Sequence, residues 1–209
     1  MTQTAPARLP RYDNAVARFR IEDEAARLQG DPATRINAYV ECCARHTGQN
    51  RLALRAISAS GELREFTFDD LDDMSGRVAN LLKAAGVGPG DVVAGMLPRI
   101  PELVATILGT WRIGAVYQPL FTAFGPKAID HRLKTSGARL VVTNMANRGK
   151  LDEVEHCPRV ATILAPGEAL PAGDIDFRAA FAAASSDCEP VLRKGDDLFM
   201  MMSTSGTTG

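Results

Sequence analysis

Short apolar runs recur along the second half of the chain, with helical segments between most of them. The runs occupy residues 92–97, 115–120, 139–143, 160–164 and 198–202. The first four begin about 22 residues apart, which is the length of a strand plus a crossover helix. Continuous apolar strands that alternate with helices predict a largely parallel sheet with helices on both faces. The predicted fold class is therefore α/β.

The helices between these strands have recognisable ends. Residues 101–113 and 126–135 each start with proline and stop at or just before a glycine, which is the usual asymmetry of helix termini. Residues 177–184 follow Asp176, whose side chain suits an N-terminal cap. Residues 147–155 form a shorter predicted helix. The strand–helix alternation is thus supported by local signals as well as by hydrophobicity.

The first half of the chain predicts a helical extension followed by a β-hairpin. We expect a short amphipathic helix at residues 12–19, packed on the main body, and a second helix at residues 33–45. Residues 52–57 and 63–68 predict two strands joined by a turn. Thr67 and Asp70 then have the spacing of a capping box, which opens a helix ending at Gly86.

Charge and composition argue against several classes of partner. The formal net charge of −1 gives no electrostatic basis for binding nucleic acid or an anionic membrane. No run approaches the roughly 20 apolar residues of a membrane span, and no signal peptide is expected. The four cysteines form no Cys-x-x-Cys pair, so reduced thiols in a cytoplasmic protein are expected. His131 and His156 lack metal-ligand spacing, so no metal site is predicted.

The last residues of the chain combine glycine with hydroxyl side chains directly after the final apolar run. They are Ser203, Thr204, Ser205, Gly206, Thr207, Thr208 and Gly209. Glycine lets a backbone approach an anion closely, and hydroxyl and N–H groups donate to its oxygens. The loop lacks the lysine of a Walker A sequence. The stretch therefore predicts either a phosphate-binding loop or a flexible Ser/Gly tail.

The stretch from Thr204 to Gly209 is similar to the opening of the phosphate loop of the adenylate-forming enzymes, the acyl-CoA synthetase superfamily. Three upstream stretches resemble the same family in order and spacing, at residues 67–93, 98–117 and 120–143. The third resembles acetyl-CoA synthetases and their close relatives. The resemblance implies that residues 31–209 are the N-terminal part of an AMP-binding domain truncated at its C-terminus. Residues 1–30 would be an N-terminal extension.

The resemblance also implies a function. Such enzymes activate a carboxylic acid, here acetate or another short- or medium-chain acid, with Mg-ATP and then transfer the acyl group to coenzyme A. ATP, Mg²⁺ and coenzyme A are thus the implied substrates. The seven residues from Ser203 to Gly209 would hold ATP phosphates, and no catalytic residue lies in this chain. Without the family's downstream segments, the isolated chain is expected to be inactive.

The resemblance also implies a second site, which would bind coenzyme A. Phe121, Thr122 and Ala123 match a loop that lies near the coenzyme in acetyl-CoA synthetases, although Thr122 and Ala123 replace a Gly-Gly pair. A basic residue after the next strand meets the coenzyme's phosphates in those relatives, and Arg148 or Lys150 is the candidate here. The ordinary alternatives are a packed Phe121 and solvated basic side chains.

Two other functions remain open on the sequence. One is a βα module that binds a nucleotide or a partner chain without chemistry. The other is an adenylation domain that passes its acyl group to a different acceptor, which the stretch at residues 120–129 disfavours. The acyl substrate itself is not readable from these residues.

Overall fold

The computed structural model describes residues 11–203. Within this range, three short helices come first, followed by a hairpin and a region of alternating strands and helices. In chain order the elements are α1 Tyr12–Arg18, α2 Ile21–Ala25, α3 Ala38–Cys42, β1 Leu52–Ile57, β2 Leu63–Thr67, α4 Phe68–Ala84, β3 Val92–Met96, α5 Pro101–Arg112, β4 Val116–Pro119, α6 Pro126–Ser136, β5 Leu140–Asn144, α7 Met145–Arg148, β6 Arg159–Ile163, β7 Ile175–Asp176 and α8 Phe177–Ala183.

The central sheet has five strands in the order β4-β3-β5-β6-β7, and every neighbouring pair is parallel. Val93 of β3 lies beside Tyr117 of β4 on one side and Leu140 of β5 on the other. The predicted α/β class and its parallel sheet are confirmed. β7 is a two-residue strand that the apolar pattern did not reveal, because so short an element carries no hydrophobic run.

Helices cover both faces of the sheet, as the apolar strands predicted. Alternate residues of a strand point to opposite faces, so Val93 and Leu140 pack in one core with α4, α5 and α8. Ala94 and Val141 pack in a second core with α6. A parallel sheet buried on both sides has no solvated face, which explains why β3 is buried at all five positions.

The hairpin and the helix after it follow the sequence signals closely. β1 pairs antiparallel with β2, with Ile57 opposite Leu63. The Thr67 hydroxyl accepts from the Asp70 backbone N–H at 3.1 Å, and Asp70 accepts from the Thr67 backbone N–H at 2.7 Å. This reciprocal pair is the predicted capping box. It satisfies two N–H groups that the first helical turn leaves unpaired.

The N-terminal region departs from expectation in two ways. The helix predicted at residues 33–45 is wrong for its first half, because α3 begins only at Ala38. Asp31 instead accepts from the backbone N–H of Ala33 at 2.9 Å, and this local bond competes with helix formation. Helix α1 forms as predicted but has no buried residue. Its expected packing on the body is therefore wrong.

Two later elements also differ from the prediction. The helix predicted at residues 147–155 begins earlier and ends as the short α7 followed by a 3-10 turn at Gly149–Leu151. The run at residues 198–202 forms a single parallel bridge between Met200 and Tyr117 rather than a buried strand. Leu198, for example, is 60% exposed. The run lies at the open edge of β4, where apolar side chains find few partners.

A buried arginine joins three helices to the segment that follows α8. Arg112 is 8% exposed, and its guanidinium lies over the Tyr39 ring at 4.6 Å. It donates to the Cys188 carbonyl at 2.5 Å and to the Asp72 carboxylate at 2.9 Å. The Ser75 hydroxyl accepts a further bond at 3.0 Å. Nε and Nη1 of this cation therefore meet acceptors, and such pairing offsets the cost of burying a charge.

We expect Arg112→Met to lower the free energy of unfolding by about 3–5 kcal/mol, because the change leaves buried acceptors without their charged donor. Urea denaturation followed by circular dichroism measures the loss. Arg139→Met is the matched control. Arg139 is 61% exposed and pairs with Asp91 at 3.2 Å, so its loss is expected to cost less than about 1 kcal/mol. Equal losses in the two variants would contradict a central role for Arg112.

Candidate functional site

The carboxyl ends of the parallel strands meet along one edge of the sheet, and the predicted site residues follow these ends. Residues 120–125 follow β4, and residues 145–150 follow β5. Open parallel sheets bind ligands at this edge. The two parts of the predicted coenzyme site therefore leave the same edge of the sheet from strands on either side of β3, although they are more than 20 residues apart in the sequence.

The predicted phosphate loop is reached from the edge of β4. The Tyr117 backbone N–H donates to the Phe199 carbonyl at 2.9 Å, and the Met201 N–H donates to the Tyr117 carbonyl at 2.9 Å. This parallel pairing directs the chain toward the carboxyl edge. Ser203 is the one loop residue among those described, and it is exposed. The remaining predicted residues lie outside the described part of the chain: Thr204, Ser205, Gly206, Thr207, Thr208 and Gly209.

The loop after β4 presents an aromatic ring to solvent. Phe121 is 59% exposed, so it does not pack in the core, and its ring meets Phe124 edge-on at 5.3 Å between centroids. The Arg132 guanidinium lies over the Phe124 ring at 4.1 Å. The Phe124 backbone N–H donates to the Phe121 carbonyl at 3.0 Å. An exposed aromatic face on a supported turn can stack with a planar ligand.

Lys150 joins the two predicted parts of the coenzyme site. Its ammonium donates to the backbone carbonyl of Thr122, while Ala123 is exposed beside that contact. The structure thus brings Lys150 against the loop after β4. An ammonium has three donors, so one bond to Thr122 leaves capacity for an anionic ligand. The coenzyme role of Phe121, Thr122, Ala123 and Lys150 stays a prediction.

Arg148 has a different environment from Lys150. Its guanidinium donates to both carboxylate oxygens of Asp174, at 2.6 and 3.0 Å, and to Asp152 at 2.6 Å. The Arg148 and Asp174 side chains are 14% and 4% exposed. The hydrogen bonds to Asp174 raise the pKa of the Arg148 guanidinium above its ordinary value. Arg148 therefore holds α7 to the segment before β7, and binding an anion would compete with that pairing.

The partners of these cations were not visible in the sequence. Asp174 lies 26 residues after Arg148 and also accepts from the Thr162 hydroxyl at 2.6 Å. The support of Phe124 by Arg132 was likewise missed, although Arg132 lies on a predicted helix that begins two residues after Phe124. Which cation of a basic loop stays free depends on carboxylates that distant strands supply.

Metal-binding clusters, membrane-spanning helices and disulfide bonds are all lacking within residues 11–203. No group of three His, Cys, Asp or Glu side chains in this range has the arrangement of a metal site. None of the helices there is long and apolar enough to cross a bilayer. The four cysteines, all within this range, are unpaired.

Comparison with known proteins gives one family consistently. The model of the family described as AMP-binding enzyme matches residues 41–209. The acetyl-coenzyme A synthetase of Campylobacter jejuni (strain 81-176) is 32% identical over 207 residues, covering 90% of this chain and 32% of that protein. That of Sodalis glossinidius is 33% identical over 196 residues, covering 83% and 30%. The chain spans about a third of the length of these curated relatives.

Solved structures agree with these relatives. The crystal structure of Brucella canis acyl-CoA synthetase is 72% identical, with a TM-score of 0.92 over 95% of this chain and 37% of that one. The crystal structure of apo MatB from Rhodopseudomonas palustris is 29% identical, with a TM-score of 0.68 over 83% and 33%.

The two carboxylates that bind Arg148 provide a test of its structural role. Asp174→Asn is expected to lower the free energy of unfolding by about 3 kcal/mol, because it leaves a buried cation without its charged partner. Asp152→Asn is the matched control on the same arginine. The Asp152 side chain is 67% exposed, so its loss is expected to cost less than about 1 kcal/mol. Thermal or urea unfolding measures the stability of both variants. Similar stabilities would contradict the structural role of the Arg148–Asp174 pair.

Proposed function

The chain belongs to the AMP-binding enzyme family, and on that premise we propose that it is the N-terminal part of an ATP-dependent acyl-CoA ligase. The observation that carries the proposal is the 72% identity to the Brucella canis acyl-CoA synthetase with a TM-score of 0.92. The acetyl-coenzyme A synthetases that match 90% of the chain support the same conclusion. Residues 31–209 form the adenylation part, and residues 1–30 are an extension.

The reaction has two halves. The substrate carboxylate attacks the α-phosphorus of ATP, so a new acyl–phosphate bond forms as the bond to pyrophosphate breaks. The coenzyme A thiol, after losing its proton, then attacks the acyl carbon and displaces AMP. Neither half uses a protein nucleophile, so the protein contributes by holding reactants in line and stabilising charge. The acid is acetate or another short- or medium-chain carboxylate.

The phosphate loop supplies the first part of this positioning. Ser203, Thr204, Ser205, Gly206, Thr207, Thr208 and Gly209 are proposed to hold the β- and γ-phosphates of ATP. The parallel pairing of Met200 with Tyr117 supports this assignment, because it leads the chain to the ligand-binding edge of the sheet. Mg²⁺ would enter with the nucleotide as part of the substrate. The described residues offer no metal cluster of their own.

Coenzyme A is proposed to lie against the loop after β4. Phe121 offers an exposed ring for its base, beside Thr122 and Ala123. Lys150 is the cation proposed to meet a phosphate, because it reaches this loop and has donors to spare. Arg148 is proposed to support Lys150 indirectly by holding α7 in place, since its own donors are already bound to two carboxylates.

Removal of one loop hydroxyl tests the ATP site. We expect Ser205→Ala to weaken ATP binding roughly 10- to 100-fold, since a hydrogen bond to a charged group is worth about 1.5–3 kcal/mol. Isothermal titration with ATP measures the affinity. Ser60→Ala, which removes an exposed hydroxyl in the hairpin turn, should leave it unchanged. Acetate-dependent exchange between ATP and pyrophosphate in the full-length protein then tests the chemistry. ATP binding without exchange for any carboxylate would favour the non-catalytic alternative.

Lys150→Ala tests the coenzyme site separately. The change is expected to raise the KM for coenzyme A at least tenfold, because a charge-assisted bond to phosphate is lost. The ATP–pyrophosphate exchange rate should stay unchanged, since that half-reaction precedes coenzyme binding. Lys134→Ala on α6, an exposed lysine, is the matched control. A fall in exchange with no change in the KM for coenzyme A would contradict the assignment.

A further inference from the structure

A groove lies between the β1–β2 hairpin and helices α5 and α8, away from the proposed coenzyme loop. It consists of two adjoining cavities of about 210 and 310 Å³, and we call it the hairpin groove. Arg64, Glu102 and Arg178 line both cavities. Cavities of a few hundred Å³ are within the range that accommodates small molecules.

The larger cavity has an apolar floor. Phe66 of the hairpin, Met74 of α4 and Phe177 and Phe181 of α8 line it. Phe177 is 2% exposed, and its ring stacks on Phe181 at 6.0 Å between centroids. Phe177, Met74 and Phe181 of this floor belong to the core on the α4–α5 face of the sheet, whereas Leu151, next to Lys150, belongs to the core on the other face. The hairpin groove and the coenzyme loop therefore rest on different layers of the fold.

Three arginines line the smaller cavity above this floor. Arg64 lies over the Phe66 ring at 5.0 Å, which holds its guanidinium at the junction of the two cavities. Arg99 follows the end of β3 and is exposed. Arg178 donates to the Leu164 carbonyl at 3.0 Å through Nε, and its Nη2 lies 3.6 Å from the Glu102 carboxylate. The three come from the hairpin, a loop and α8, and only the fold brings them together.

The carboxylates of the groove leave this positive charge partly uncompensated. Glu102 lies 3.6 Å from Arg178, and Glu62 is the other acidic residue of the lining. Within the described residues, neither Arg64 nor Arg99 has a carboxylate at ion-pair distance. Three cations against two anions leave one positive charge at the mouth of an apolar cavity. A ligand with one negative charge and an apolar tail complements both features.

We propose that the hairpin groove binds a small amphipathic carboxylate. The carboxylate accepts hydrogen bonds from Arg64 and Arg99, and its apolar tail lies on Phe66, Met74 and Phe181. Guanidinium groups bind carboxylates in a planar, two-point geometry, and the floor removes the tail from water. We treat this site as separate from the proposed ligase chemistry, because within residues 11–203 its lining includes no residue assigned to the coenzyme loop.

Three probes separate the contribution of the ligand's carboxylate head group from that of its apolar tail. Octanoate carries both, acetate carries the head alone, and octanol carries the tail alone. Isothermal titration of the 209-residue chain should show one octanoate site. Its affinity for octanoate should be at least tenfold higher than for acetate or octanol. Arg64→Gln and Arg99→Gln should each weaken octanoate binding at least tenfold. Arg55→Gln is the matched control, because Arg55 belongs to the same hairpin but pairs with Glu65 at 2.7 Å and does not line the groove.

Several results would overturn the proposal. They are no octanoate binding, as expected if other parts of a longer protein fill the groove, equal binding of octanol, or octanoate binding that the Arg64→Gln and Arg99→Gln variants leave unchanged. Circular dichroism of each variant shows that it remains folded. Carboxylate-dependent exchange between ATP and pyrophosphate in the full-length Arg64→Gln protein is a separate readout. It should stay at the wild-type rate, so failure of the groove and failure of the proposed ligase function are distinguishable.

Discussion

The guanidinium of Arg112 lies where α3, α4, α5 and the segment after α8 meet, and each neighbour contributes to its environment. Tyr39 provides a ring face, Asp72 a carboxylate and Cys188 a carbonyl. A buried cation is tolerated only when its donors are satisfied, so these segments have to meet in one arrangement. Asn37 reinforces the junction through bonds to the carbonyls of Trp111 and Val191 at 2.8 and 2.7 Å.

The consequence reaches the ligand-binding edge of the sheet. The segment held at Cys188 continues through the bridge between Ile36 and Arg193 and then runs beside β4 toward the predicted phosphate loop. The position of that loop therefore depends on contacts made far from any phosphate. In the same way, contacts with other elements hold the loops at this edge. Asp174 forms an ion pair with Arg148, and the Arg132 guanidinium packs on the Phe124 ring.

The two-sided sheet also divides the molecule into separate surfaces. Because neighbouring residues of β3 and β5 enter different cores, the hairpin groove and the coenzyme loop are built on opposite layers. Among the described residues, the two surfaces share no side chain. This geometry lets a single small domain carry chemically different binding surfaces: a basic and aromatic loop on one layer, and a cationic apolar groove on the other.

Apolar runs and local capping signals were sufficient to predict the class of the fold and most of its elements. The apolar runs at β3, β4, β5 and β6, with their intervening helices, required a parallel sheet, because strands buried on both faces leave no polar alternation. Local signals were equally informative where they act within one turn, as at Thr67 and Asp70. The order of hydroxyls and glycines at the end of the chain indicated the family before any contact was known.

Which side chains are available to bind a ligand depends on tertiary contacts, because ion pairing and burial involve residues that are distant in the sequence. Arg148 and Lys150 are both basic residues of the loop after β5. Arg148 is paired with Asp174, because β6 and β7 bring this distant carboxylate to α7. Lys150 instead donates to the Thr122 carbonyl. The arginines of the hairpin groove meet for the same reason. Local patterns follow from interactions within a few residues, whereas charge pairing and burial depend on which segments the sheet and the Arg112 junction bring together.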